Sequence, residues 1–374
     1  MRQAERIPSE GLTPDHIAEL VVAHRPVVIS GGCAAAAAIG WTLDDLEARF
    51  GGYDCVLRTP QRMSLPARVG ELISAFREER ADGLYLDNAS DPVQTPGFHH
   101  DTGVEAFAAR LPKEWSHLLT QIFLGGPGTV TPHHCVDNTN LFFQMQGRKH
   151  WALVHRTESA RMYAYPSSSG LYRHSALRSW DATRYPLYDQ AIRYEATLEP
   201  GDVLVLPRWW WHEVRNEGAL NFGVTTRWRP PMFDRLRDQN LPYLLSDTLL
   251  PPDALATFQD GRVLRDAEVR QQFYERRLDL VTLSEEGRRS LPDFSRDFEA
   301  GERDLQGVAD ELAAAGVTDT VAEVLDWLVC WEAERGGQSV FEDIPFGHTM
   351  RHRSRWRSRA LPGVVELLSS FLRT

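Results

Sequence analysis

The sequence predicts an α+β chain, mainly β in its middle, with helices on the N-terminal side and a helical C-terminal region. Three observations carry this. Between Ser116 and Pro230, short runs rich in β-branched and aromatic residues are separated by Gly, Pro or Asn, the pattern of a sandwich or barrel. Ahead of them, capped apolar runs repeat at helical spacing, and after Pro231 the composition turns helical again. The 374 residues suffice for one large core or two smaller ones.

Residues 1–80 read as helices and strands flanking the barrel. "TPDHIAELVVAHRPVVISGG" is a capped helix and then a buried strand ending at Gly31-Gly32. "TLDDLEARFGG" is a helix closed by glycines. "PARVGELISAFREERADG" is a third helix, followed by the strand "LYLDN" at 84–88.

Residues 81–232 hold the barrel. Frequent Pro, Gly and His between 91 and 115 predict loop, with a short helix around Val104–Arg110. The strands follow as "HLLTQIFLG", "NLFFQMQG", "KHWALVH", "IRYEATL", "DVLVLP", "WHEVRN" and "LNFGVTTRW". An insert at about 160–190 is too rich in Ser, Tyr and Arg for core and predicts a loop over one mouth of the barrel.

Residues 233–374 predict helices, among them "DELAAAGV", "TVAEVLDWLVCWEAER" and "LPGVVELLSSFLR". This tail could cap the barrel, pair two subunits into a homodimer or hold a substrate. Amphipathic helices pack more often on their own domain than on a partner.

Composition narrows the function classes. A net charge of −11 argues against a general nucleic-acid binder, which needs a basic surface. The basic run "MRHRSRWRSR" at 350–359 reads as a solvated helix face or an internal contact. No apolar run is long enough to span a bilayer, and the N-terminus lacks the layout of a secretion signal. The expected compartment is cytoplasmic. Cys33, Cys55, Cys135 and Cys330 are scattered and read as free thiols. Lysine occurs only at Lys113 and Lys149, so a lysine retained in an arginine-dominated chain invites a specific explanation.

Two stretches carry chemistry. "TPHHCVDNTN" spans 131–140 and runs into "LFFQMQGRKHW"; "EPGDVLVLPRWWWHEV" spans 199–214. Alone, His212 would be a satisfied histidine beside a strand. A second histidine-bearing strand upstream, with a glycine turn after it, weakens that reading.

In combination, Thr131-Pro132-His133-His134, Asn140, Gly147-Arg148-Lys149 and Pro207-Arg208-Trp209-Trp210-Trp211-His212 resemble the JmjC/cupin-like iron and 2-oxoglutarate oxygenases, especially their asparaginyl-hydroxylase branch. The similarity is strongest over about residues 80–230. It implies a double-stranded β-helix, or jelly roll, using Fe(II) with 2-oxoglutarate as co-substrate. The implied reaction hydroxylates a C–H of a protein or peptide side chain, or of an amino-acid-like metabolite.

The implied metal ligands, also the catalytic set, are His134, Asp137 and His212. Lys149, with Thr131 and Tyr85, would hold the far carboxylate of the co-substrate. Asn140 would lie near its metal-side carboxylate, and Thr226 belongs to the same co-substrate set. A facial set of protein ligands with open positions is what such an iron needs.

One departure matters. The family's aspartate lies two residues after the first histidine, where this chain has Val136; Asp137 is one further on. In a regular strand that shift turns the side chain to the other face. Three outcomes stay open: a bulge turns Asp137 inward, His134 and His212 hold the metal alone, or the fold serves only as a binding module.

Other candidates rank lower. His133 would put Asn140 and Lys149 out of register, so it reads as a supporting residue. His99 and Asp101 in "FHHDTG" have a ligand-like spacing, but no strand-glycine-lysine sequence follows them. Cys135 is on the wrong strand face, and "GGPG" at 125–128 is a turn. A loop-lined mouth from Tyr163 to Tyr188 would admit a peptide, and Arg173, Arg178 and Arg184 there would suit an acidic one.

Overall fold

The computed structural model describes residues 1–59, 64–136, 138–159, 161–164, 172–175, 177, 185–229, 252–259, 262–289, 317–318 and 370–371. The chain divides into two units, Met1–His155 with Ile192–Pro231, and Arg156–Ala191 with Met232–Thr374.

In the first unit the elements begin with β1 (Arg2–Gln3), β2 (Glu5–Pro8), α1 (Pro14–Val22), β3 (Val27–Ser30) and α2 (Leu43–Phe50). Next come β4 (Asp54–Arg58), β5 (Ser64–Arg68), α3 (Val69–Arg77), β6 (Tyr85–Ala89), α4 (Phe98–Asp101) and α5 (Val104–Ala108). The long strands follow as β7 (Ser116–Gly125), β8 (Val130–Val136) and β9 (Thr139–Val154). After β10 (Tyr172–His174), which belongs to the second unit, come β11 (Arg193–Leu198), β12 (Val203–Leu206) and β13 (Trp211–Arg229).

Local chemistry sets the helices. The Thr13 hydroxyl accepts the His16 N–H at the start of α1, with Pro14 in the first turn. Thr42 and Asp45 form a reciprocal capping box on α2.

The strands of this unit form one sheet in the order β2-β3-β12-β9-β13-β7-β6-β4-β5, with β11 beside β9, β1 beside β11 and β8 beside β13. β9 and β13 each do the work of two strands. The start of β9 pairs with β12 and its end with β11. The far half of β13 pairs with β7 and its near half with β8. Wrapped this way, the sheet is a jelly roll with helices packed outside it. The strands expected separately at "NLFFQMQG" and "KHWALVH" are therefore one, as are "WHEVRN" and "LNFGVTTRW".

Each of the two long strands changes register partway. Gly223 pairs with Gln144 but Phe222 with Gln146, so Met145 is an extra residue on β9. Between Glu217 and Phe222 the pairing on β13 shifts again, around Gly218 at φ 92°. A bulge reverses which residues face inward.

Two apolar layers result. Leu141, Phe143, Met145, Phe222 and Val224 pack toward the helices with Leu46, Phe50, Leu72 and Phe107. Phe123, Phe142, Trp151, Leu204, Leu206 and Val214 fill the inside of the roll. Gly223 allows their closeness, since a Cβ there would stand 2.4 Å from the Phe142 ring.

The hairpin β4–β5 departs from the sequence expectation. "PAR", expected to open a helix, lies in β5, and the helix starts at Val69. β5 ends the sheet, where Pro66 loses no ladder bond. Val56 and Leu65 stay exposed, so the hairpin has no apolar alternation to announce it.

In the second unit, helices span Pro186–Asp189, Pro252–Gln259, Arg262–Arg265 and Ala267–Arg289. The Tyr163 hydroxyl accepts the Leu187 N–H at 3.0 Å and donates to Gln271 Oε1 at 3.2 Å. Tyr274 and Arg277 donate to the backbone carbonyl oxygens of Tyr163 and Ala164. Most of the expected C-terminal helices, and Arg178 and Arg184 of the insert, lie outside the described residues. Ser370–Phe371, within a stretch expected to be helical, pairs with Val317–Thr318 as a short antiparallel ladder. Among the described residues, Cys33, Cys55 and Cys135 are free thiols, and no helix is long and apolar enough to cross a membrane.

Candidate metal and co-substrate site

β8 brings the first histidine to the second. His134 pairs with His212, and three residues earlier Thr131 pairs with Val214, a mismatch that places a bulge at Pro132–His133. Because of it, Thr131 and His134 line one cavity despite their odd spacing. The two imidazole rings lie 4.0 Å apart between centroids.

Backbone carbonyls set both tautomers. His134 Nδ1 lies 2.8 Å from the Pro132 oxygen and His212 Nδ1 2.9 Å from the Trp210 oxygen. Donation from Nδ1 leaves Nε2 carrying the lone pair, the arrangement that orients metal-binding histidines. Burial, helped by the nearby charge of Arg227, pushes His212 down to about 4 against the opposing Trp210 hydrogen bond. The ring is therefore neutral near pH 7, as a ligand must be. Trp151 stacks on it at 5.6 Å.

Lys149 stands in the same cavity, fully buried. Its ammonium group donates to the Tyr85 hydroxyl at 3.4 Å, and Thr131 donates to that hydroxyl at 3.3 Å. The rings of Tyr85, Phe123 and Phe142 surround it at 5.0–5.4 Å. Burial lowers the lysine to about 7 and raises the Tyr85 phenol well above its ordinary value. Gly125 makes room for this pocket, because a Cβ there would sit 2.6 Å from the Tyr85 ring.

Asn140 joins from the start of β9, its Oδ1 accepting the Thr225 hydroxyl. Asn140 and Lys149 are an odd number of residues apart and would face opposite ways in a regular strand. The extra residue at Met145 brings them to one side.

Thr226 does not join them. Its hydroxyl accepts the Trp228 indole N–H, and it is not among the residues lining the cavity. The register shift within β13 leaves Arg227 on the cavity wall instead, while Thr225 reaches the cavity only through its hydrogen bond to Asn140.

Asp137 lies outside the described residues. Val136 is buried yet absent from the cavity lining, and its carbonyl accepts the Trp209 N–H at 2.9 Å. Among the described residues no three His, Cys, Asp or Glu side chains gather around a single point. His133 is buried on the bulge, with Nε2 4.0 Å from Glu213, and burial pushes it down to about 4. His99 and Asp101 sit in α4, Asp101 bonded to Arg49 at 3.0 Å, away from the cavity. Cys135 is buried and does not line it.

The cavity is partly open to solvent. It also includes Asn88, Trp151 and Arg227, which the sequence reading passed over. Trp151 could have been found by stepping two residues on from Lys149. Arg227 was hidden by the register shift, and Asn88 by its left-handed backbone at φ 57°.

A cupin-like domain model matches residues 14–234. The HSPB1-associated protein 1 homolog of Danio rerio is 34% identical over 121 residues, 31% of this chain and 27% of that protein. Lysine-specific demethylase 8 of Xenopus tropicalis is 28% identical over 163 residues, 43% of this chain and 36% of that protein. The tRNA wybutosine-synthesizing protein 5 of Mus musculus is 29% identical over 180 residues, 47% of each chain. The chain thus spans about a quarter to a half of the length of these relatives. With a matched domain covering more than half of its residues and a jelly roll around the paired histidines, the chain belongs to the cupin-like, JmjC family.

Proposed function

We propose that the protein is an Fe(II)- and 2-oxoglutarate-dependent oxygenase that hydroxylates a C–H of a peptide side chain or an amino-acid-like metabolite. One observation carries this reading: two imidazoles with carbonyl-bound Nδ1 atoms and a buried lysine share one cavity. The donor set suits the group. Neutral imidazoles are iron ligands, and the buried Trp151 Nε1–H has no hydrogen-bond partner among the described residues. A buried donor in that state gains from a ligand acceptor.

His134 and His212 would hold the metal, with Asp137 as the candidate third ligand. When bound, the metal supplies the oxygen activation that no side chain provides. The chain's own residues do the rest. Lys149, Tyr85 and Thr131 receive the distal carboxylate of the co-substrate, and Asn140 orients its other end. Phe123, Phe142, Trp151 and Val214 keep water from the reacting centre.

Anaerobic addition of Fe(II) and 2-oxoglutarate should produce the weak visible band of a metal-chelated 2-oxo acid. A silent spectrum favours a binding module instead.

The lysine makes a second test. Held at about 7 by burial, it must be charged to grip a carboxylate, so the complex raises its pKa. Above pH 7, binding then takes up a proton, and affinity should fall up to about tenfold per pH unit toward pH 9. Below pH 7 this contribution is flat. Calorimetry in buffers of different ionisation enthalpy reads the uptake directly; a pH-independent affinity between 7 and 9 refutes it.

A further inference from the structure

We propose that Gln121 is a specificity-determining residue that accepts a hydrogen bond from an uncharged donor of the primary substrate, an amide N–H or a hydroxyl, and so selects against a free amine. The proposal deepens the oxygenase reading and rests on it for the distinction between primary substrate and co-substrate.

Gln121 lies in the regular part of β7, where pairing with β13 runs unbroken from Leu119–Arg227 to Gly125–Asn221. Side chains alternate there, so Gln121 shares the inner face of the roll with Phe123, which lines the cavity. Across from it stands Thr225, whose hydroxyl donates to Asn140. On its other side, Gln121 Nε2 donates to the Asn88 carbonyl at 2.8 Å. Asn88 and Asn140 line the cavity too. Gln121 therefore sits at the cavity margin, held between residues of its wall.

The bond to Asn88 sets which way the amide points, since a flipped amide would press two acceptor oxygens together. Oε1 is left without a hydrogen-bond partner among the described residues, on a side chain that is 5% exposed. A buried acceptor in that state costs free energy until a donor reaches it. The co-substrate is no such donor, because 2-oxoglutarate at neutral pH carries acceptor oxygens only. The donor then belongs to the primary substrate.

The wall decides its charge. Lys149 and Arg227 line the cavity, and no Asp or Glu stands among its described lining residues. An ammonium group would enter against basic side chains with no counter-charge, whereas an uncharged donor meets no such penalty.

Wild type, Gln121→Met and Gln121→Glu would be loaded with Zn(II), which is redox-inert, and titrated with 2-oxoglutarate. Saturation-transfer NMR would then follow N-methylacetamide, ethanol and methylammonium chloride on each complex. Wild type should bind N-methylacetamide or ethanol saturably and methylammonium not at all, the tighter of the first two naming the donor. Gln121→Met should weaken that binding about fivefold or more while 2-oxoglutarate affinity stays within about twofold, a split that a merely structural glutamine would not give. Gln121→Glu keeps the shape and adds a charge, so its preference should turn toward methylammonium; it carries the comparison if the methionine variant does not fold. Saturable methylammonium binding by wild type, no saturable uncharged probe, or unchanged probe binding in the variants overturns the proposal and leaves Oε1 to an ordered water. If 2-oxoglutarate fails to bind wild type, the oxygenase reading fails, and the same probes on the metal-free protein still decide the role of Gln121.

Discussion

Replacing Lys149 with Met is expected to weaken 2-oxoglutarate binding at least about a hundredfold while making the empty protein more stable. The two effects share one cause. Lys149 is fully buried among Tyr85, Phe123 and Phe142, and an ammonium group there loses its hydration. The folded protein therefore binds fewer protons at this site than the unfolded chain across roughly pH 7 to 10.5. By linkage, wild-type stability rises with pH through that window, and the burden is greatest below pH 7.

Methionine has similar length and no charge. It should raise stability by about 1–3 kcal/mol near pH 6, with the gain shrinking toward pH 10. Thermal melts at both pH values and a 2-oxoglutarate titration check the pair of effects. A variant that melts earlier at pH 6 and binds normally would show that the lysine is an ordinary core residue. A charge kept at such a place against stability points to a ligand.

The second large effect concerns the metal. His134→Ala and His212→Ala should each lower Fe(II) affinity by about two orders of magnitude or more, since even supporting residues of metal sites are worth 10–100-fold. Burial keeps the His212 ring neutral near pH 7, so its loss removes no charge. Folding should survive, and circular dichroism would confirm it.

The third ligand can be read in the same series. If Asp137→Ala keeps full iron while His134→Ala loses it, Asp137 is not a ligand. Val136→Asp then becomes informative, because Val136 lies two residues beyond His134 but outside the cavity lining. A gain of iron affinity there would mean that the strand can still turn that position inward.

The middle of the chain was readable because its strands are apolar on both faces and punctuated by Gly, Pro and Asn. His134, His212, Lys149, Tyr85, Thr131 and Asn140 were all named from sequence, and the structure gathers their side chains around one cavity. What could not be read was strand parity. Three irregularities, at Pro132–His133, at Met145 and between Glu217 and Phe222, each reverse which residues face inward. Bulges leave little trace in composition, so Thr226, which the resemblance implied, falls off the cavity wall and Arg227 stands on it. The hairpin β4–β5 escaped for another reason, as an edge with exposed Val56 and Leu65 shows no hydrophobic rhythm.

The carbonyl that each histidine grips belongs to the residue two places before it, Pro132 for one and Trp210 for the other. Each ring is thus latched within its own strand, by a loop so short that no distant part of the molecule has to arrive first. The aim of both rings is settled as the roll closes, before any ion enters. A metal taken up there, as proposed, would meet a seat already shaped for it and would spend little of its binding energy on rearranging the protein.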